Sequence, residues 1–239
     1  MVKLSNRLLT VASFVTEGNV LADVGTDHGY IPIYLLQEKK IPRAIAMDIN
    51  EGPLQRAKEH VAQYGLEGYI ETRLSDGVDA LKAGEADSIL IAGMGGGLVM
   101  HILNDGEAVC RQAKELILQP QSELERVRAY LWTNGYVILD EDIVLEDDKF
   151  YPMMRVSYQG INDEISAENM LFCRYGKGLL MRKHPILREY LVREQKLYED
   201  IRENLCKTAS SDKTRERLLE VEKVLELNKE GLLLWQNEM

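Results

Sequence analysis

The chain has 239 residues, 45% of them hydrophobic and 28% charged, and a formal net charge of -10. That length accommodates one large α/β domain with a smaller appendage, and the composition excludes a collagen, a lone coiled-coil rod or a disordered chain. The negative charge argues against an indiscriminate nucleic-acid binder, and three cysteines, Cys110, Cys173 and Cys206, suit neither a disulfide framework nor a metal knuckle, so a reducing compartment is expected.

Taken from the amino terminus, residues 1–15 (MVKLSNRLLTVASFV) interleave Ser5, Asn6, Arg7, Thr10 and Ser13 with apolar residues, which breaks the continuous apolar core of a signal peptide. No apolar run approaches the roughly 18 residues of a transmembrane helix. A cytoplasmic protein without membrane contact is therefore expected. Leu4, Leu8, Val11 and Val15 recur at helical spacing and put Arg7 on the opposite, polar side.

Short apolar runs then alternate with helix-like segments. Strands are predicted over residues 20–24, 44–48, 69–73, 88–92 and 116–119, the rhythm of a parallel sheet with crossover helices. From Gly135 two extended runs flank the acidic turn Asp147-Asp148, which predicts a closing antiparallel hairpin. After Gly160 strand signals stop. Leu218, Val221, Leu225, Asn228, Leu232 and Trp235 form a helical seam with one polar slot. Leu187, Tyr190, Leu191, Leu197, Ile201 and Leu205 offer its partner, and residues 208–212 form the turn between them. The reading is an α/β domain over residues 1–160 followed by a helical domain over 161–239.

The deficit of basic residues lies almost wholly in the first 160 positions. By contrast, residues 174–188 hold Arg174, Lys177, Arg182, Lys183, His184 and Arg188 with no acidic residue. This island is either a phosphate-tracking surface or a solvated helix face.

The most informative stretch is VLADVGTDHGY, residues 20–30. A strand ends at Asp23, and Gly25 and Gly29 open a turn into a helix containing Tyr30, the place where a doubly wound sheet meets a nucleotide-like ligand. The dinucleotide fingerprint GxGxxG would need a glycine at Asp27. A pyrophosphate would also meet two carboxylates, Asp23 and Asp27, in the loop meant to cradle it. A ligand with a cationic head, such as S-adenosylmethionine, tolerates them. Asp48 ends the second strand, where an acidic side chain can accept hydrogen bonds from a ribose diol. Ser75, Asp76 and Gly77 follow the third, within reach of an adenine amino group. The fourth strand runs into Ala92, Gly93, Met94 and Gly95, and the glycines at 93, 95, 96 and 97 allow close approach of another molecule or supply free N–H groups. No Walker lysine follows, and no His or Cys spacing indicates a metal.

Together DVGTDHGY, IAGMGGGL, ILQP, the N-terminal KLSNRL and the helical tail resemble the bacterial tRNA (adenine-22-N1) methyltransferase family over essentially the whole chain. The resemblance implies a Rossmann-like class I methyltransferase domain, a mostly parallel doubly wound sheet ending in an antiparallel hairpin, joined to a coiled-coil-like helical domain that assists tRNA binding. It implies S-adenosyl-L-methionine as cofactor, bound by Asp23, Gly25, Gly29, Asp48, Asp76 and Gly77, with Ile49, Ser75, Ala92 and Gly93 beside them. It places Arg7, Asp27, His28, Tyr30 and the loop 93–96 around the pocket.

In that reading adenine N1 is already a lone-pair nucleophile, so no strong general base is needed. Asp27 or main-chain carbonyls of Gly93, Met94 and Gly95 stabilise the developing charge, and His28 donates to the base or orders the loop. Tyr30 is the first candidate for stacking the target base, with Phe150 and Tyr151 second; Arg7 contacts phosphate or base. Arg174, Lys177, Arg182 and Lys183 track the tRNA backbone. His60 and His101 stand in helix-like segments without an assigned role. A small-molecule methyltransferase and a non-catalytic RNA-binding protein share parts of this pattern. Oligomeric state is not legible, and a monomer is compatible with it.

Overall fold

Successive strand residues face opposite sides of a sheet, and here both sides are apolar. Ala22, Val24, Ile45, Met47, Ile89, Ile91, Leu116 and Leu118 belong to one core cluster, whereas Leu21, Ala44, Ala46, Leu90 and Ile117 belong to the other. Strands buried on both faces require helices on both faces. A computed structural model describes residues 2–161, 167–207 and 212–235 and shows this arrangement.

The chain divides into two compact units, residues 1–164 and 165–239. The first contains α1 (Asn6–Ser13), β1 (Leu21–Val24), α2 (Tyr30–Gln37), β2 (Ala44–Asp48), α3 (Glu51–Gln63), β3 (Ile70–Leu74), β4 (Ser88–Met94), α4 (Gly96–Asp105), α5 (Glu107–Cys110), β5 (Glu115–Pro120), α6 (Leu124–Thr133), β6 (Tyr136–Glu146) and β7 (Lys149–Tyr158). The strand order is β3-β2-β1-β4-β5-β7-β6. The first five strands are parallel, and β7 runs antiparallel to both β5 and β6. Residues of α1, α2 and α3 enter one core; those of α4, α5 and α6 enter the other.

The α/β reading and the closing hairpin therefore hold, with shifted strand ends. The strand expected from residue 20 starts at Leu21, and the one expected from 69 starts at Ile70, leaving Tyr69 exposed. β4 continues past Ala92 to Met94 because a register shift at Gly93 lets pairing resume at Met94 with Pro120. In the hairpin, Asp147 and Asp148 take φ of 48° and 60°, the left-handed pair that tight two-residue hairpin turns require.

The second unit contains α7 (Ala167–Tyr175), α8 (Lys177–Met181), α9 (Pro185–Lys207) and α10 (Asp212–Leu233). α9 and α10 pack so that Leu191 meets Gly231 and its carbonyl accepts from Asn228 Nδ2 at 2.9 Å. The polar slot at Asn228 is fully buried, and its Nδ2 also donates to Glu194 at 3.1 Å. One seam position needs correcting: Leu197 is 56% exposed, and Glu194 takes the buried place one turn earlier. Apart from Asp212, which opens α10, the expected turn at 208–212 lies outside the described residues.

Candidate active site

The strand order reverses between β1 and β4, and ligands of such sheets bind outside the carboxyl ends at that switch point. A cavity of about 280 Å³ opens there, lined by Arg7, Asp23, Gly25, Thr26, Asp27, His28, Tyr30, Ala92, Gly93 and Gln121 among others. The chain folds into it for local reasons. The N–H groups of Gly25 and Thr26 both donate to the Met47 carbonyl at 2.8 and 2.9 Å, which ties the first crossover loop to the end of β2. Gly25 takes φ +72° there, a conformation that strains any other residue, and a Cβ on it would lie 2.3 Å from Met94 Cε, so the end of the Met94 side chain would have to move.

Asp23 is buried at the end of β1 and accepts a 2.6 Å hydrogen bond from Thr26 Oγ1. Burial pushes its carboxyl up to about 6, with the nearby Asp48 charge adding to the rise and the Thr26 bond opposing it. Asp48 is also buried and accepts the Asn50 N–H at 2.9 Å. Among the described residues no Lys, Arg or His forms an ion pair with either carboxylate. Two buried acids without a cation from their own chain suit a positively charged ligand. Apolar side chains stand exposed at the same edge of the sheet: Ile49 after β2, Leu74 at the end of β3 and Leu98 in the first turn of α4. A cationic ligand carrying a flat apolar ring, as S-adenosylmethionine does, fits this set.

Not every expected cofactor position enters the same cavity. Asp23, Gly25, Ala92 and Gly93 line the larger one, while Asp76 and Gly77 line a separate space of about 40 Å³ with His101 and Asp105. Asp48, Ile49 and Gly29 line neither; Gly29 is the left-handed residue that opens α2. The Ser75 hydroxyl is committed within the chain, donating to the Gly77 carbonyl at 3.0 Å and accepting from the Ala80 N–H at 3.0 Å. These bonds shape the Asp76-Gly77 turn. The side chain of Met94 lies over Gly25.

On the substrate side, Arg7 reaches the cavity from α1. Its Nη1 donates to the fully buried Gln119 Oε1 at 2.9 Å, and its guanidinium lies 5.1 Å from the Tyr151 ring centroid. Tyr151 thus supports Arg7 and does not itself line the cavity, and neither does Phe150, paired across the hairpin with Leu145. Asp27, with φ +50°, receives Arg56 Nη2 at 2.8 Å and has His28 Nε2 at 3.5 Å. Tyr30 is stacked with His28 and His60, at centroid distances of 5.1 and 5.0 Å. His60 Nδ1 donates to the His28 carbonyl at 2.9 Å, which fixes its tautomer. His60, read as a helix residue without a role, is therefore part of the pocket's ring cluster. Thr26 and Gln121 also line the cavity, and Arg56 joins it through Asp27. Thr26 stands within the stretch 20–30 between the residues singled out there, whereas no local signal marks Arg56 and Gln121, because α3 and the loop after β5 meet the first crossover only in the folded chain.

The glycine loop is partly spoken for. Gly96 and Gly97 N–H groups donate to Ser122 Oγ at 3.1 Å and Glu123 Oε2 at 2.8 Å, so they are not free donors. Gly93, with φ +79°, does face the cavity, and a Cβ there would lie 3.8 Å from both Arg7 Nη1 and Gln121 Nε2.

In the helical unit Arg174 of the basic island is committed within the chain. Arg174 Nη2 donates to Glu194 at 2.7 Å, and Tyr175 OH donates to the same carboxylate at 2.6 Å in a largely buried network. Arg174 is a structural ion-pair partner; Lys177 and Arg182 are exposed and Lys183 half-buried. Among the described residues no group of three or more His, Cys, Asp or Glu could hold a metal ion, and no helix is long and apolar enough to cross a membrane.

Residues 4–154 match a family model described as a methyltransferase domain. The tRNA (adenine(22)-N(1))-methyltransferase of Bacillus subtilis is 36% identical over 95% of this chain and 96% of its own. The crystal structure of the B. subtilis m1A22 tRNA methyltransferase TrmK superposes with a TM-score of 0.87 at 34% identity, covering 97% of this chain and 100% of that one. Streptococcus pneumoniae Sp1610 in complex with S-adenosyl-L-methionine gives a TM-score of 0.84 at 33% identity over 96% and 100%. The switch-point cavity, the buried carboxylates at the ends of β1 and β2 and these full-length likenesses lead to one assignment: the chain belongs to the tRNA (adenine-22-N1) methyltransferase family.

Proposed function

We propose that this protein is an S-adenosylmethionine-dependent enzyme that methylates N1 of adenine 22 in tRNA. The observation that carries the reading is the buried pair Asp23 and Asp48, left without a cation at the switch point. When bound, S-adenosylmethionine supplies a methyl group activated on a sulfonium centre. Asp23 holds the cationic part of the cofactor, Asp48 its ribose diol and Asp76 its adenine amino group, with Ile49 and Gly77 flanking the ring.

Adenine N1 carries a lone pair and no proton, so the chain supplies alignment, a contribution of about 7–11 kcal/mol in well-oriented reactions. His28 and Tyr30, which line the cavity and are backed by His60, receive the extruded base. Arg7, held by Gln119 and Tyr151, contacts the nucleotide. The Gly93 carbonyl and the Asp27 carboxylate face the positive charge that develops on the base, whereas the Met94 and Gly95 carbonyls accept the Gln121 and Val99 N–H groups within the chain. Pairing with Arg56 tempers Asp27 and orients it. Residues 1–160 thus carry the chemistry, and the helical domain from 161 onward holds tRNA through Lys177, Arg182 and Lys183. The enzyme acts in the cytoplasm without a metal.

The test is retention of tritium on tRNA after incubation with methyl-labelled S-adenosylmethionine. Labelled tRNA supports the reading. Label that stays in the small-molecule fraction, or is not transferred at all, contradicts it.

A further inference from the structure

Resting on that functional reading, we propose that Glu123, together with Ser122, is a positioning residue for methyl transfer that clamps the Gly93 to Gly95 turn in place by accepting the Gly97 N–H. Three consecutive residues of the loop between β5 and α6 bond to this turn and the helix it opens. The Gln121 N–H donates to the Met94 carbonyl at 2.8 Å, Ser122 Oγ accepts from Gly96 at 3.1 Å, and Glu123 Oε2 accepts from Gly97 at 2.8 Å. The two segments approach so closely that a Cβ on Gly96 would lie 2.4 Å from the Ser122 carbonyl oxygen.

Glu123 is placed against its own helix's interest. It precedes α6 in the left-handed region, φ +53°, and its side chain makes no capping bond to α6. Glycine there would relieve the strain. Its carboxylate instead reaches the first turn of α4, where negative charge is favoured by the helix dipole. Among the described residues its one other side-chain partner is the exposed Arg126. Gly93, four residues before the clamped N–H, forms the cavity wall beside Arg7 and Gln121. Releasing the clamp frees that wall to move, and displacement of about 1 Å at a reacting centre can cost on the order of a hundredfold in rate.

The experiment compares Glu123→Ala, Glu123→Gln and Arg126→Ala with the wild-type chain in single-turnover methylation of tRNA, calorimetric cofactor binding and amide hydrogen exchange. Glu123→Ala should slow transfer about 10- to 100-fold, with cofactor Kd and tRNA KM changed less than about threefold, and should speed exchange of the Gly97 amide. Glu123→Gln keeps an oxygen that accepts the Gly97 N–H, so it should restore both rate and protection. Arg126→Ala should leave both unchanged. A Glu123→Ala enzyme as fast as wild type, or a Glu123→Gln enzyme as slow as Glu123→Ala, overturns the proposal. Unchanged Gly97 exchange in Glu123→Ala overturns it independently of the substrate, whereas a wild-type chain that leaves tRNA unmethylated strikes the functional reading.

Discussion

Replacing Asp23 with asparagine should stabilise the ligand-free protein while removing its response to the cofactor. The folded-state carboxyl is raised from 3.8 to about 6, mainly by burial. The native chain therefore binds more protons than the unfolded chain between those values, and stability falls as pH rises through that window. A shift of roughly two pK units corresponds to about 3 kcal/mol above pH 6. Asparagine carries no charge to desolvate and can still accept the Thr26 hydroxyl. At pH 8 the substitution should raise Tm by about 5–10 °C for a domain of this size, and by about half as much near pH 5, where much of Asp23 is already protonated. In differential scanning fluorimetry, S-adenosylmethionine should raise Tm of the wild-type chain and leave Asp23→Asn unmoved. A variant that is less stable at pH 8, or whose gain does not shrink with acidity, refutes the electrostatic reasoning.

Further predictions concern the substrate side and the helical unit. Asp27→Asn should lower the single-turnover rate by about tenfold with a smaller change in cofactor Kd; a selective loss of cofactor affinity would move Asp27 into the cofactor site. Charge reversal of Arg182 and Lys183 should weaken tRNA binding and reduce the salt slope by roughly one per lost phosphate contact, without altering cofactor affinity; an unchanged slope in filter binding would leave these residues as plain surface. Glu194→Ala strips the partner from Arg174 and Tyr175 and should cost the helical unit about 3–5 kcal/mol; denaturant unfolding that coincides with wild type would contradict the pairing.

Most of the sheet was legible because local chemistry and tertiary demand agree. β2 occupies the predicted 44–48 segment, an apolar run bounded by Pro42 and the Asn50 that precedes α3. Asp23 and Asp48 could be singled out because they stand at the ends of apolar strands, and Asp76 because it follows the third strand, strand ends being where such sheets bind ligands. What stayed hidden depends on long-range neighbours. Arg174 reads as part of a basic island until Glu194, 20 residues on, neutralises it. The glycines at 96 and 97 read as open backbone until the loop from 121 to 123 packs on them. His60 reads as an ordinary helix residue until α3 brings it against Tyr30. Leu197 stands one heptad after Tyr190 at the margin of the seam, and the inward place beside it goes to Glu194, which pairs with Arg174 and Asn228.

Nucleoside mass spectrometry with fragment mapping, on tRNA treated with the protein and S-adenosylmethionine, tests the assignment most directly. One 1-methyladenosine per molecule at position 22, absent when that position is guanosine, is the predicted product. Modification at a different base, or no methylated adenosine from a chain that binds the cofactor, would contradict it.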